Sequence, residues 1–186
     1  MLAAANGIDR ALRAVALAAV WLMPALAGII VLDVMTRKLG IFLPVLTSSR
    51  LQELQWHLHA VLFSLWLGFG YVLNAHPRVD TVQANLSLRR KAWLELGGCV
   101  LLALPYCLVI VFYAVPFVLR SYQIDEGSNM PGGIGERWIV KGIFATGLAL
   151  LLLSVCSMIL RLLVFLFGGR LAAEARLPLE EPSATV

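Results

Sequence analysis

IFATGLALLLLSVCSMIL, residues 143–160, is a run of eighteen residues without a single charge. Wound as an α-helix it rises about 27 Å, close to the roughly 30 Å of hydrocarbon in a bilayer. Three further stretches read the same way: Ala14 to Leu32, Leu54 to Leu73 and Leu96 to Leu119. With their flanking turns the spans are expected at about residues 14–33, 51–74, 93–119 and 138–167. Strands are excluded, because lipid satisfies no backbone group and four strands cannot close a barrel. The expected fold is an all-α integral membrane protein, a bundle of four tilted transmembrane helices with short loops. It forms a single domain over residues 1–169, followed by a mobile cytoplasmic tail at 170–186.

Composition agrees. Apolar residues make up 60% of the 186 and charged residues only 14%, with mean hydropathy +0.86; a soluble domain carries about a quarter charged residues. The net charge of +4 comes from Lys and Arg beside the spans, so no nucleic-acid partner is expected. Arg10 and Arg13 followed by Ala25-Leu26-Ala27 could mark a cleaved signal peptide. The apolar run continues past that point to Leu32, and a retained helix is expected instead.

Orientation follows the distribution of Lys and Arg between the loops. One side holds nine: Arg10, Arg13, Arg78, Arg89, Arg90, Lys91, Arg161, Arg170 and Arg176. The other holds six: Arg37, Lys38, Arg50, Arg120, Arg137 and Lys141. Both termini are therefore expected in the cytoplasm, with Arg89, Arg90 and Lys91 as a cytoplasmic anchor and Trp93 in the interfacial belt. Ser87 is the expected N-cap of the third helix. That helix contains Pro105 and Pro116 and is long enough to require tilt or a kink.

Polar residues at membrane depth are functional candidates by default. Arg50, Glu53 and His57, at i, i+3 and i+7, fall on one face of the second helix, with Gln52, Trp56 and His59 on an adjoining stripe. They could relay protons or touch a substrate. Their place in the first two turns favours the headgroup zone, with bonds to neighbouring helices or a partner. Asp33 and Arg37 sit one turn apart at the same boundary. Together with Lys141, the residues Asp33, Arg37, Glu53 and His57 are expected to form a polar network or subunit interface.

No catalytic set is present. The histidines are His57, His59 and His76, all on or just beyond one helix, so two facing haem ligands are not available within one chain. Cys99, Cys107 and Cys156 lie in apolar runs without C-x-x-C spacing and read as small hydrophobes. Pro131-Gly-Gly-Ile-Gly135 lacks the Lys-Ser/Thr of a phosphate loop and reads as a turn. Neither enzyme activity, cofactor nor metal is expected. Gly142, Thr146, Ala149 and Gly97-Gly98 offer small surfaces for helix association.

The order of the segments is informative. Asp33-Val-x-x-Arg37 with Gly40 is followed by Glu53-Leu-Gln-Trp-His57, His76-Pro-Arg-Val-Asp80 and Ser87-Leu-Arg-Arg-Lys-Ala-Trp93. Pro105, Ser121, Glu126-x-Ser128, Pro131-Gly-Gly133, Arg137-Trp138 and Lys141 complete the series. From about Leu12 to Phe167 the chain resembles the small, DctQ-type membrane subunit of tripartite ATP-independent periplasmic (TRAP) transporters, apart from Pro77, where the family usually has another residue. The resemblance implies a stator in the bacterial inner membrane. It would brace a large multi-helix permease that carries sodium and substrate sites, while a periplasmic binding protein delivers a small organic acid. The third loop would then lie outside, with Ser121, Asp125, Glu126 and Ser128 either as a docking surface for that protein or as a fold-defining turn packed on the permease, with Ser121 and Glu126 bonding within the loop. The competing class is a self-contained membrane protein, such as a haem- or quinone-binding electron-transfer subunit.

Overall fold

The computed structural model describes residues 1–41, 43–73, 86–169, 175 and 177. Every regular element among them is helical: α1 (Leu2–Val20), α2 (Leu22–Leu39), α3 (Ser48–Val72), α4 (Leu88–Gly98), a π-turn (Cys99–Ala103), α5 (Leu104–Gln123) and α6 (Arg137–Phe167). Pro24 has no N–H to offer the Val20 carbonyl, and the first rod breaks at Trp21. Trp21 keeps helical angles (φ −64°, ψ −15°), so α1 and α2 form one interrupted rod of 38 residues. It starts at Leu2, well before the apolar stretch that begins at Ala14. At its far end Gly40 adopts φ +64°, which closes the last turn in the left-handed region that glycine enters freely.

Pro105 acts similarly on the third rod. It withholds a donor from Leu101 one turn back, and just before it the ladder takes an i→i−5 step, with the Leu104 N–H bonding the Cys99 carbonyl. The irregularity in this rod is therefore a π-turn just before Pro105. Ser87 occupies the N-cap position of α4 in extended conformation, but its hydroxyl caps nothing. Thr47 does cap α3, accepting the Arg50 N–H at 3.4 Å.

Three rods are long and apolar enough to cross a membrane: Leu2–Leu39, Leu88–Gln123 and Arg137–Phe167. Helix α3 has 25 residues, about 37 Å of rise, but its first half carries Arg50, Glu53, His57 and His59. The motif at 76–80 and most of the tail lie outside the described residues.

Helix α6 is the hub, packed by α1, α3, α4 and α5. It runs parallel to α3: the α3 backbone at Ser64 abuts Gly147, and Gly68 abuts the Leu150 carbonyl. It runs antiparallel to the α4–α5 rod, where Trp93 meets Phe167 (5.6 Å between ring centroids) and Tyr122 meets Trp138 (5.3 Å). These aromatic pairs mark two levels 29 residues apart on α6, or about 43 Å, the thickness of a bilayer with its interfaces. The start of α1 and the end of α6 share one end, where Asp9 contacts Arg161. The heads of α3 and α6 share the other with the loop after α5.

Close approach of α3 to α6 relies on Ser64-x-x-x-Gly68 and Gly147. A Cβ on Gly147 would collide with the Ser64 backbone, whereas one on Gly142 would meet only Val118 Cγ1 at 3.9 Å. The small residues that drew attention in the sequence lie elsewhere: Thr146 is exposed, and Gly97 and Gly98 have open space around them. Gly147→Ala is expected to destabilise the protein by about 1–3 kcal/mol through overpacking, and Gly142→Ala to be neutral. Thermal unfolding in detergent compares them, and equal melting temperatures would discount the close contact.

Candidate functional site at the loop-capped end

The loop between α5 and α6 folds back over the helix heads, and side chains from α3 and α6 hold it there. Glu53, one turn and a half into α3, is only 3% exposed. Its carboxylate accepts hydrogen bonds from Ser128 Oγ and the Ile134 N–H, both in the loop. Arg137 Nη2 from α6 lies 3.6 Å from the same carboxylate, and its guanidinium sits 5.7 Å from the Trp56 ring. Gly133 passes so close that a Cβ would strike Glu53 Oε2 and Ser128. From the rim, Arg50 Nε donates to the Gly132 carbonyl at 2.8 Å and Nη1 to Val45 at 3.0 Å. The expected Arg50–Glu53–His57 face thus divides by depth. Arg50 stays exposed and straps two loops, while Glu53 and His57 are buried.

His57 Nδ1 lies 2.6 Å from the Glu53 carbonyl. A carbonyl only accepts, so Nδ1 carries the proton. The neighbouring stripe of Gln52, Trp56 and His59 faces outward.

Two further clusters flank this one. Asp33, at the end of α2 and 1% exposed, accepts from Arg37 Nη2 (2.9 Å), Ser48 Oγ (2.9 Å) and Gln55 Nε2 (3.3 Å). It therefore joins α2 to the head of α3. Lys141 on α6 pairs with Glu126 of the loop, and its ammonium lies 4.3 Å from the centre of the Phe117 ring. The five residues expected to form one network thus fall into three adjacent clusters: Asp33 with Arg37, Glu53 with His57, and Lys141 with Glu126. Arg137, Ser48 and Gln55 complete them.

Of the four residues assigned to a docking surface, only Asp125 is exposed. Ser121 is 1% exposed, and its carbonyl accepts the Glu126 N–H at 3.0 Å. The Lys141 ammonium holds the Glu126 carboxyl below the usual glutamate value of 4.5. A lowered folded value means that the contact contributes fully above pH 4.5 and is lost as pH falls through the lower folded value. Proteolysis of residues 124–136 should therefore stay slow at pH 5 and accelerate on further acidification. In Glu126→Gln, loop cleavage should already be faster at neutral pH and lose part of that acid dependence, since the Glu53 carboxylate still holds Ser128 and Ile134. An unchanged profile would detach Glu126 from loop anchoring.

At the opposite end lies a cluster that sequence reading missed. Arg161 lies within α6, inside the expected span 138–167. It bonds Asp9 through Nη2 (2.5 Å) and Nε (3.1 Å), Asn6 Oδ1 at 2.7 Å, and the Ala175 carbonyl at 2.9 Å. Ser157 Oγ donates to the other Asp9 oxygen at 2.6 Å. Arg161 lies six residues inside the Phe167 level, about 9 Å deeper. The available signal was an acid and a base inside two opposed apolar helices, since an unpaired charge at that depth is disfavoured. Arg89 and Arg90 are exposed on α4, beside the half-buried Lys91.

The cysteines form no disulfide; Cys99 and Cys107 are buried, Cys156 partly so. Tyr71 Oη lies 3.1 Å from Cys99 Sγ. Among the described residues no group of His, Cys, Asp and Glu could hold a metal ion. No family model matches the chain, and neither does any curated protein or solved structure.

Proposed function

We propose that this chain is the small membrane subunit of a sodium-coupled, binding-protein-dependent secondary transporter of the TRAP type for small organic acids. It spans the bacterial inner membrane four times, with α3 as the fourth crossing and both termini in the cytoplasm. Its work is mechanical: it braces the fixed part of a large permease while another part of that permease moves substrate.

The observation that carries this reading is convergence. The pieces that give the chain its TRAP-like character are scattered from Asp33 to Lys141. In the fold, Asp33 with Arg37, Glu53 with Ser128 and Arg137, and Glu126 with Lys141 meet at one end of the bundle. They tie loop to helix heads, as a rigid brace requires. Buried polar networks of this kind stiffen a structure when satisfied.

Purification of the chain together with the products of its chromosomal neighbours tests the proposal. Co-elution with a permease of about a dozen helices is expected, while a Soret band in the purified chain would instead establish a cytochrome. Topology is checked by labelling from the periplasm. A cysteine at exposed Asn129 should react and one at exposed Ser87 should not. Asn129 is preferred to Ser128, which holds Glu53.

A further inference from the structure

We infer that the exposed face of α5 around Tyr106 and Tyr113 is where a transmembrane helix of the large partner subunit packs. The inference rests on the function proposed above for the partner's identity, and on depth and chemistry for the face. Trp93 and Tyr122 mark the two interfacial levels of this rod through their contacts with Phe167 and Trp138. The midpoint between them falls within two residues of Tyr106 and six of Tyr113, about 2 Å and 8 Å along the axis. Both residues therefore lie inside the hydrocarbon core, whose half-thickness is about 15 Å.

Tyrosine ordinarily sits at the interface, where its hydroxyl reaches water. Here the rings are 63% and 64% exposed from this chain. Neither hydroxyl has a hydrogen-bond partner among the described residues, and lipid tails offer none. Seven residues apart, they share one helix face. Beside Tyr106 the π-turn opens a shallow groove of about 480 Å³ lined by Gly98, Leu101, Leu102, Ala103 and Tyr106. Gly98, Leu102 and Tyr106 all line it, so the groove and the tyrosine lie on one side of the rod. Ile30, Val31, Val34 and Met35 on the exposed face of α2 carry no hydrogen-bonding side chain, and lipid satisfies them. The α5 face needs an acceptor at mid-depth. A helix of the large subunit bearing a polar side chain or an open carbonyl there supplies it.

The test uses the full chain co-expressed with its chromosomal neighbours in native membranes. A photo-crosslinking phenylalanine replaces Tyr106 in one variant and Val31 in another, and mass spectrometry identifies the adducts. A protein adduct to the multi-helix permease from position 106, with little from position 31, is expected. In parallel, Tyr106→Phe with Tyr113→Phe should weaken retention of the permease by about five- to tenfold, as two interhelical hydrogen bonds of ordinary size imply. Co-purification of a permease that crosslinks at 31 but not at 106 would overturn the assigned face and leave the proposed function standing. An adduct between two copies of this chain at 106 would overturn the assigned partner. Absence of any large partner from the purified chain would overturn the proposed function itself.

Discussion

Glu53→Ala is expected to lower the stability of the detergent-solubilised protein by about 3–5 kcal/mol, the range for removing one partner of a buried charge pair. The carboxylate holds Ser128, the Ile134 N–H and Arg137 at once. Its loss strands a loop N–H and a guanidinium that Trp56 and the helix heads shield from water. Glu53→Gln keeps an acceptor but loses the charge, so it should fall between the alanine variant and the native protein. Melting temperature follows the stability. Proteolysis of residues 124–136 follows the loop, which should be cut first in the alanine variant. If Glu53→Ala melts and resists protease like the native protein, the carboxylate is solvated at the headgroups and does not anchor the loop. In the transporter setting, the same variant should reduce co-purification with the permease or the rate of uptake.

Arg161→Ala should have an effect of similar size at the other end. It leaves Asp9 with Ser157 as its remaining partner at the edge of the hydrocarbon core, and an uncompensated charge there is disfavoured by several kcal/mol. Asp9→Asn should be milder, since Arg161 retains Asn6 and the Ala175 carbonyl. The informative quantity is the coupling in the double variant: about 1–3 kcal/mol less destabilisation than the sum of the single changes. Additive effects would mean that the two charges act independently and that apolar packing alone holds α1 on α6. Reactivity of a cysteine placed at Ala5, which is fully buried, should rise in Arg161→Ala if the first helix loosens.

Hydropathy was sufficient for the helical class, because only a continuous apolar run of about twenty residues satisfies its own backbone in lipid. The region 143–160 and its long companions were legible for that reason. The second rod was less so: α3 has the length of a span but mixes Arg50, Glu53 and His57 into its first half, and it falls short of the apolar character of the other three. The helical spacing of Glu53 and His57, and the pairing of Asp33 with Arg37 one turn away, could also be read directly, since 3.6 residues per turn fixes which side chains share a face.

Contacts between distant segments were another matter. Nothing local in Ser128 or Ile134 announces that they meet Glu53, more than seventy residues away, and nothing in the loop's acids announces that Glu126 meets Lys141. Arg161 looked like a flanking positive charge because local sequence cannot reveal that α1 brings Asp9 beside it. Likewise Gly142 and Gly147 are equivalent as letters, and only the line of approach of α3 makes Gly147 the one that matters. Sequence by itself determined the helical class, the three long apolar runs and the faces of each helix, since these follow from short-range hydrogen bonding and side-chain periodicity. Tertiary structure alone decided which polar groups are paired and which small residues are in contact, because pairing depends on the register and depth at which separate helices pack.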